Sequence, residues 1–161
     1  MNAPDSALAP PFRLYRATVQ PEWIDVNDHM NVERYYGVLY QAQVAVTEHL
    51  ELGRTYVASR GLSKMVVESN FRFERELRAG EQLEVRSRLL AVDRKRIHFF
   101  HELWNLDRDL RAAIGEQIDV HVDLSTRRSA PLPEEVLARL QRIVAAQAAL
   151  PPVVARLSLT R

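Results

Sequence analysis

Apolar residues follow two different rhythms along this chain. In residues 12–23 they alternate, with Phe12 and Leu14 followed by Ala17 and Val19, the period-two mark of a strand with one buried face. The rhythm then lengthens. Apolar or aromatic side chains fall at Val32, Tyr35, Tyr36, Leu39, Ala42, Val46 and Leu50, in a stretch with one glycine and no proline. That spacing predicts one amphipathic helix of about 18–20 residues, with Gly53 as its left-handed stop.

Period two then returns and persists. Met65, Val67, Ser69, Phe71 and Phe73 form one alternating set, and Leu83, Val85, Ser87, Leu89 and Ala91 a second. Ile97, Phe99, His101 and Leu103 form a third, and Ile114, Glu116, Ile118, Val120, Val122 and Leu124 a fourth. Four further strands are predicted. Their connectors, at residues 78–80, 93–96 and 105–109, have hairpin length, so the sheet is expected to be antiparallel. Residues 133–150 close the chain with a second amphipathic helix. Pro133 opens it, and Val136, Leu137, Leu140, Ile143 and Val144 lie on one side.

This order predicts an α+β fold in two layers, one long central helix against a curved antiparallel sheet of about five strands, plus a C-terminal helix. The expected division is a loose Pro- and Ala-rich tail at residues 1–11, a main domain at 12–130, and a helical extension at 131–161. Such a sheet leaves open edges and a second face, which favours a homo-oligomer that joins sheets side by side.

Composition narrows the function. The 161 residues carry 22 basic and 21 acidic side chains, so net charge points to neither nucleic acid nor an anionic membrane. With no cysteine there is no disulfide, thiolate nucleophile or cysteine zinc site. No run approaches the roughly 18 apolar residues that span a bilayer. Residues 1–11 lack the basic start and apolar core of a signal peptide, and a cytoplasmic location is expected. There is no glycine-rich phosphate loop. No metal is expected either. Residues 25–36 begin like a calcium loop but lack glycine at the sixth position and carry Tyr36 at the twelfth. His98 and His101 fall on opposite faces of one strand.

The chemistry concentrates in Trp23-Ile-Asp-Val-Asn-Asp-His-Met-Asn31, immediately before the long helix. Asp25 lies a few residues ahead of a helix N-terminus, where unpaired N–H groups favour developing negative charge. Two readings stand side by side: a carboxylate for acyl transfer, or a stabiliser of the helix end. Asn31 is a good N-cap, and capping would fix the N–H donors of residues 31–33 that could bind an oxyanion. His29 is either a proton carrier or a structural loop residue, and Asn27 either orients Asp25 or makes a turn. Tyr35 and Tyr36 lie in the first helical turns, as core or as acyl-pocket walls. Aromatic faces such as Trp23 and Tyr36 would suit a quaternary-amine acyl group. Ser69 is expected to face inward, as a pocket hydroxyl or a backbone-bonded one. Arg94, Lys95 and Arg96 are candidates to bind phosphates.

The Asp25, His29-Met30-Asn31 and Tyr35-Tyr36 pattern, with this order of elements, resembles the hotdog-fold acyl-CoA thioesterases of the 4-hydroxybenzoyl-CoA thioesterase-like group. The Asp-x-Asn-x-His-Met-Asn variant is most similar to the branch that includes betainyl-CoA thioesterases. Many relatives carry glycine just before the histidine, where this chain has Asp28. The resemblance implies hydrolysis of an acyl-coenzyme A without a cofactor, Asp25 as general base or nucleophile, a helix N-terminal N–H on the carbonyl, and sites formed where subunits of a homodimer or homotetramer meet. A hydratase or dehydratase acting on acyl thioesters, or a non-catalytic acyl-CoA binding module, would use the same scaffold.

Overall fold

The computed structural model describes residues 11–160; of the expected tail, only Pro11 lies within them. The first strand is β1 (Phe12–Thr18), followed by a single 3-10 turn at Pro21–Trp23. Next come α1 (Val32–His49) and a short α2 (Arg54–Arg60). Four long strands then run in sequence, β2 (Leu62–Phe73), β3 (Gln82–Val92), β4 (Arg96–Asn105) and β5 (Leu110–Asp123), and β6 (Arg128–Ser129) precedes α3 (Glu134–Gln147).

The two-layer α+β architecture matches the expectation. All ladders are antiparallel, in the spatial order β1-β3-β4-β5-β2, with β6 extending β5. α1 lies on the inner face of the curved sheet. A β-carbon at Gly115 would stand 3.2 Å from both Leu39 and Phe71, so this glycine lets helix and strand approach closely. Val46 and Leu50 of α1 join Phe12, Leu89 and Phe99 in a core completed by Val136, Leu140 and Ile143 of α3.

Several expectations need correction. The link at residues 78–80 is not a hairpin turn, because β2 pairs with β5 at the far edge and β3 pairs with β1 and β4. Residues 74–81 therefore cross the end of the sheet. Their anchor is Leu77, wholly buried, whose carbonyl accepts the Met30 N–H at 2.7 Å. That crossing is what supports the motif loop.

Gly53 does not stop α1. Glu51 takes the left-handed conformation there, at φ 56°, and Gly53 instead precedes α2. The short α2 has no counterpart in the sequence pattern, since Tyr56 is its one buried residue and seven residues carry little periodicity. In β2 a bulge at Val67 breaks the single alternating set. Lys64 and Val66 share a face with Phe71 and Phe73, and Met65 faces the opposite way, because one extra residue inverts every side chain beyond it.

Residues 150–160 run across the outer face of the sheet. The wholly buried Glu116 carboxylate accepts the Arg156 N–H at 2.9 Å and the Leu157 N–H at 3.0 Å, fixing this segment to β5.

Candidate active site

The motif folds as a tight loop across which Ile24 bridges Met30. The Asp28 N–H donates to the Asp25 carbonyl at 3.1 Å, and the Asn27 N–H donates to Asp25 Oδ1 at 2.8 Å. Asp28 closes the turn with φ 60°, the left-handed conformation that glycine adopts freely and that Asp and Asn tolerate best among other residues. The departure from the family's glycine is thus conservative in backbone terms.

Asn31 then starts the helix. Its Oδ1 accepts the Glu33 N–H at 2.9 Å, and its Nδ2 reaches Asp25 Oδ2 at 3.5 Å. The expectation spreads oxyanion donors across residues 31–33, and the structure separates them. The Asn31 N–H is used by the Trp23 carbonyl at 2.8 Å, and that of Glu33 by the cap. The Val32 N–H has no hydrogen-bond partner among the described residues. A backbone donor leaves no side-chain signature, so only the hydrogen-bond inventory of the folded loop identifies it.

A cavity of about 310 Å³ opens beside this N–H, walled by His29, Met30, Val32, Tyr35, Phe73 and residues 74–76. His29 Nδ1 lies 3.2 Å from the Met30 carbonyl, so in the neutral ring Nδ1 carries the proton and Nε2 keeps its lone pair. Tyr35 is buried and its hydroxyl donates to the Arg75 carbonyl at 3.0 Å; burial pushes its pKa up to about 12, so it stays a phenol. Tyr36 remains 42% exposed and packs edge-on against Phe71 and Phe73. Asp25, His29, Asn31 and Tyr35 are therefore gathered in one place, with Tyr36 adjoining. The Asn27 side chain is exposed, and only its backbone touches Asp25. Trp23 packs against the core and is not a wall of the cavity.

Two groups of expected residues lie elsewhere. Ser69 does share a face with Phe71, but β2 is an edge strand beyond the cover of α1, so its side chain is exposed instead of inward and buried. Arg94, Lys95 and Arg96 occupy the β3–β4 turn at the opposite end of the sheet. Strand β4 separates the two ends by about 30 Å of extended chain. Arg96 is held by Asp93 at 2.6 Å, and Lys95 reaches Ser129 at 3.1 Å.

A second polar cluster leaves no local signal in the sequence. Between α1 and the sheet, Ser87, His101, Gln43, Asp119 and Lys64 form a chain of hydrogen bonds of 2.8, 2.7, 3.1 and 2.5 Å. Burial, with the nearby Lys64 charge, lowers the His101 pKa to about 3, so the ring is neutral. Neither histidine of β4 takes part in a metal cluster among the described residues. His98 is on the outer face near Glu116, as alternation requires.

A family profile for the thioesterase-like superfamily matches residues 19–140, three quarters of the chain, including the whole motif loop and α1. The chain belongs to that superfamily. It is 37% identical over 137 residues to betainyl-CoA thioesterase of Pseudomonas aeruginosa, covering 85% of this thioesterase and 86% of the relative. It is 36% identical to the L-carnitine dehydrogenase/betainyl-CoA thioesterase of Agrobacterium fabrum, over 83% of this chain but 27% of that longer protein. A proposed thioesterase from Pseudomonas putida KT2440 superposes with TM-score 0.76 at 29% identity, covering 95% and 98% of the two chains. The fold is the hotdog fold, and the protein is a thioester hydrolase.

Proposed function

We propose that this thioesterase hydrolyses an acyl-coenzyme A, with Asp25 as general base or nucleophile and the Val32 N–H at the start of α1 as the donor to the thioester carbonyl. The observation that carries the proposal is the Asn31 cap, which joins Asp25 to the helix end and leaves the Val32 N–H open beside a cavity. As a base, Asp25 takes a proton from water as the oxygen attacks the carbonyl carbon. The oxyanion accepts a hydrogen bond from Val32, and collapse expels the coenzyme A thiolate, which then takes up a proton. As a nucleophile, Asp25 forms an anhydride that water opens. His29 Nε2 is placed to carry the proton.

The acyl group is proposed to be small and cationic, in line with the names of the relatives. Tyr35 and Phe73 stand edge to face at 5.3 Å, and Glu74 and Glu76 also wall the cavity, which offers aromatic faces and carboxylates to a quaternary ammonium.

The site is proposed to be completed in a homodimer. Val32, Tyr36, Tyr40 and Val44 form an exposed stripe at four-residue spacing on α1, next to the open β2 edge with exposed Val66, Val67 and Phe73. A twofold pairing of β2 with its own copy is antiparallel. It would set the far end of the partner sheet, with Arg94 and Lys95, beside each Asp25 loop, which gives those cations access to coenzyme A phosphates that one subunit alone cannot supply.

The test is thiol release from betainyl-, acetyl-, hexanoyl- and benzoyl-CoA by wild type and Asp25→Asn. Betainyl-CoA is expected to be cleaved fastest, and Asp25→Asn to lose most activity while keeping its fold and dimer. Near-wild-type turnover by that variant would overturn the mechanism.

A further inference from the structure

The outer face of the sheet carries a second cavity, remote from the motif loop and independent of the reading above. It holds about 530 Å³ between β3, β4 and β5 and the crossing segment at residues 150–154. That volume is in the usual range for a small-molecule site. Phe100 and Ile114 contribute apolar surface from the sheet, and Leu150, Pro151 and Val153 from the crossing segment.

Five arginines reach this cavity, and three are already neutralised. Arg13 and Arg86 pair with Glu84 at 3.3 and 3.1 Å, and Arg111 pairs with Glu74 and Glu102 at 2.9 and 2.7 Å. Arg72 and Arg88 make no ion pair among the described residues. Each donates to one carbonyl of the crossing segment, Arg88 to Pro151 at 2.9 Å and Arg72 to Val154 at 2.8 Å. Arg72 Nε is buried and has no partner at all. Arg88 lies over the Phe100 ring at 5.9 Å, and burial lowers its pKa from the usual guanidinium value against the weak pull of Glu102.

Two half-buried guanidiniums with donors to spare, on opposite sides of an apolar floor, are costly unless an anion completes them. A water molecule would satisfy the N–H groups but leave both charges uncompensated. An inorganic ion would pair with the charges and leave the apolar floor wet. We propose that this cavity binds an organic anion, a carboxylate or phosphate carried on an apolar or aromatic body, gripped by Arg72 and Arg88. The crossing segment, fixed by Glu116, forms its roof. A free carboxylic acid and the phosphorylated adenosine end of a coenzyme share this chemistry.

Titration calorimetry with octanoate and with adenosine 3′,5′-bisphosphate separates the two sources. Wild-type protein is compared with Arg72→Gln and Arg88→Gln, each checked for folding by circular dichroism. Binding of at least one anion is expected, weakened tenfold or more by either substitution, while thiol-release activity stays within twofold of wild type. Arginine-dependent octanoate binding identifies the carboxylate source, and arginine-dependent bisphosphate binding the phosphate source. Absence of binding by both anions, or affinities that neither substitution changes, overturns the proposal. Having two variants on different strands keeps the test decisive if one of them misfolds.

Discussion

The Asp25 loop and the buried cluster around His101 are built from the same kinds of residue and differ in what those residues have left over. In the cluster, every link is spoken for in one direction. Ser87 donates to His101 Nδ1, His101 Nε2 to the Gln43 carbonyl oxygen, and the Gln43 amide and the Lys64 ammonium both to Asp119 Oδ2. Asp119 Oδ1 is the exception, with no partner. At the loop, Asp25, Asn31 and His29 are only partly committed. The Asn31 contact to Asp25 is a long 3.5 Å, His29 Nε2 has no partner among the described residues, and the Val32 N–H is open. An aspartate, a histidine and an amide side chain hold a core together in one place and are free to meet a substrate in the other. Residue type does not separate the two; residual hydrogen-bonding capacity at an accessible cavity does.

The sharpest way to break this comparison is to remove the aspartate from each region. Asp25→Asn is expected to cut thioester cleavage about 10²–10⁴-fold, the usual contribution of a positioned base, with little change in unfolding free energy. Asp119→Ala should do the reverse. It strands Lys64, only 12% exposed, without its counter-charge, at a cost of about 3–5 kcal/mol. Thiol release and urea denaturation on both variants check the pair. If Asp119→Ala proves as stable as wild type, or Asp25→Asn unfolds, the two regions have been assigned the wrong way round.

A pH series sharpens the same contrast. His101 is held neutral with its pKa near 3, whereas the unfolded chain takes up a proton below about 6.5. The folded state then binds fewer protons than the unfolded one across that window. Stability from this group is complete above pH about 6.5 and falls at ~1.4 kcal/mol per unit as pH drops towards 3. His101→Asn should flatten the pH dependence of unfolding by about one proton, as read from urea midpoints between pH 4 and 6.5.

The long helix, the antiparallel strands and the motif are legible directly in the chain, because each is encoded within a short window: period 3.6 at residues 32–50, period two in the strands, and a carboxylate just ahead of a cap. What is not legible depends on pairing between distant segments. Placing β2 beside β5 instead of β3 is a choice of edge that no local pattern records. The bulge at Val67 leaves an unbroken alternation in the sequence and reveals itself only through its partners Asp119 and Ile118. The open donor at Val32 is a backbone group. Ser69 lies on the face that alternation predicts, and its exposure follows from the position of β2 at the edge.

Smaller effects probe the loop itself. Asn31→Ala removes the cap on the Glu33 N–H and the link to Asp25, so helix stability should fall by about 1 kcal/mol. If the cap positions the site, kcat should fall while KM changes little. A thermal melt together with steady-state kinetics distinguishes this from a purely stabilising cap, for which only the melt would move.

The smallest expected change concerns Asp28. Its φ of 60° places a non-glycine residue in the left-handed region, and its N–H already closes the turn onto the Asp25 carbonyl. Its side chain is exposed and makes no hydrogen bond among the described residues, so substitution removes no contact. Asp28→Gly relieves the left-handed strain but adds freedom to the unfolded chain, and these opposing effects are each of order 1 kcal/mol. The net shift in unfolding free energy should therefore stay within about 1 kcal/mol, with cleavage within twofold of wild type. A large gain or loss of activity on Asp28→Gly would mean that the aspartate charge itself acts on the substrate, and that the loop is more than a rigid mount for Asp25.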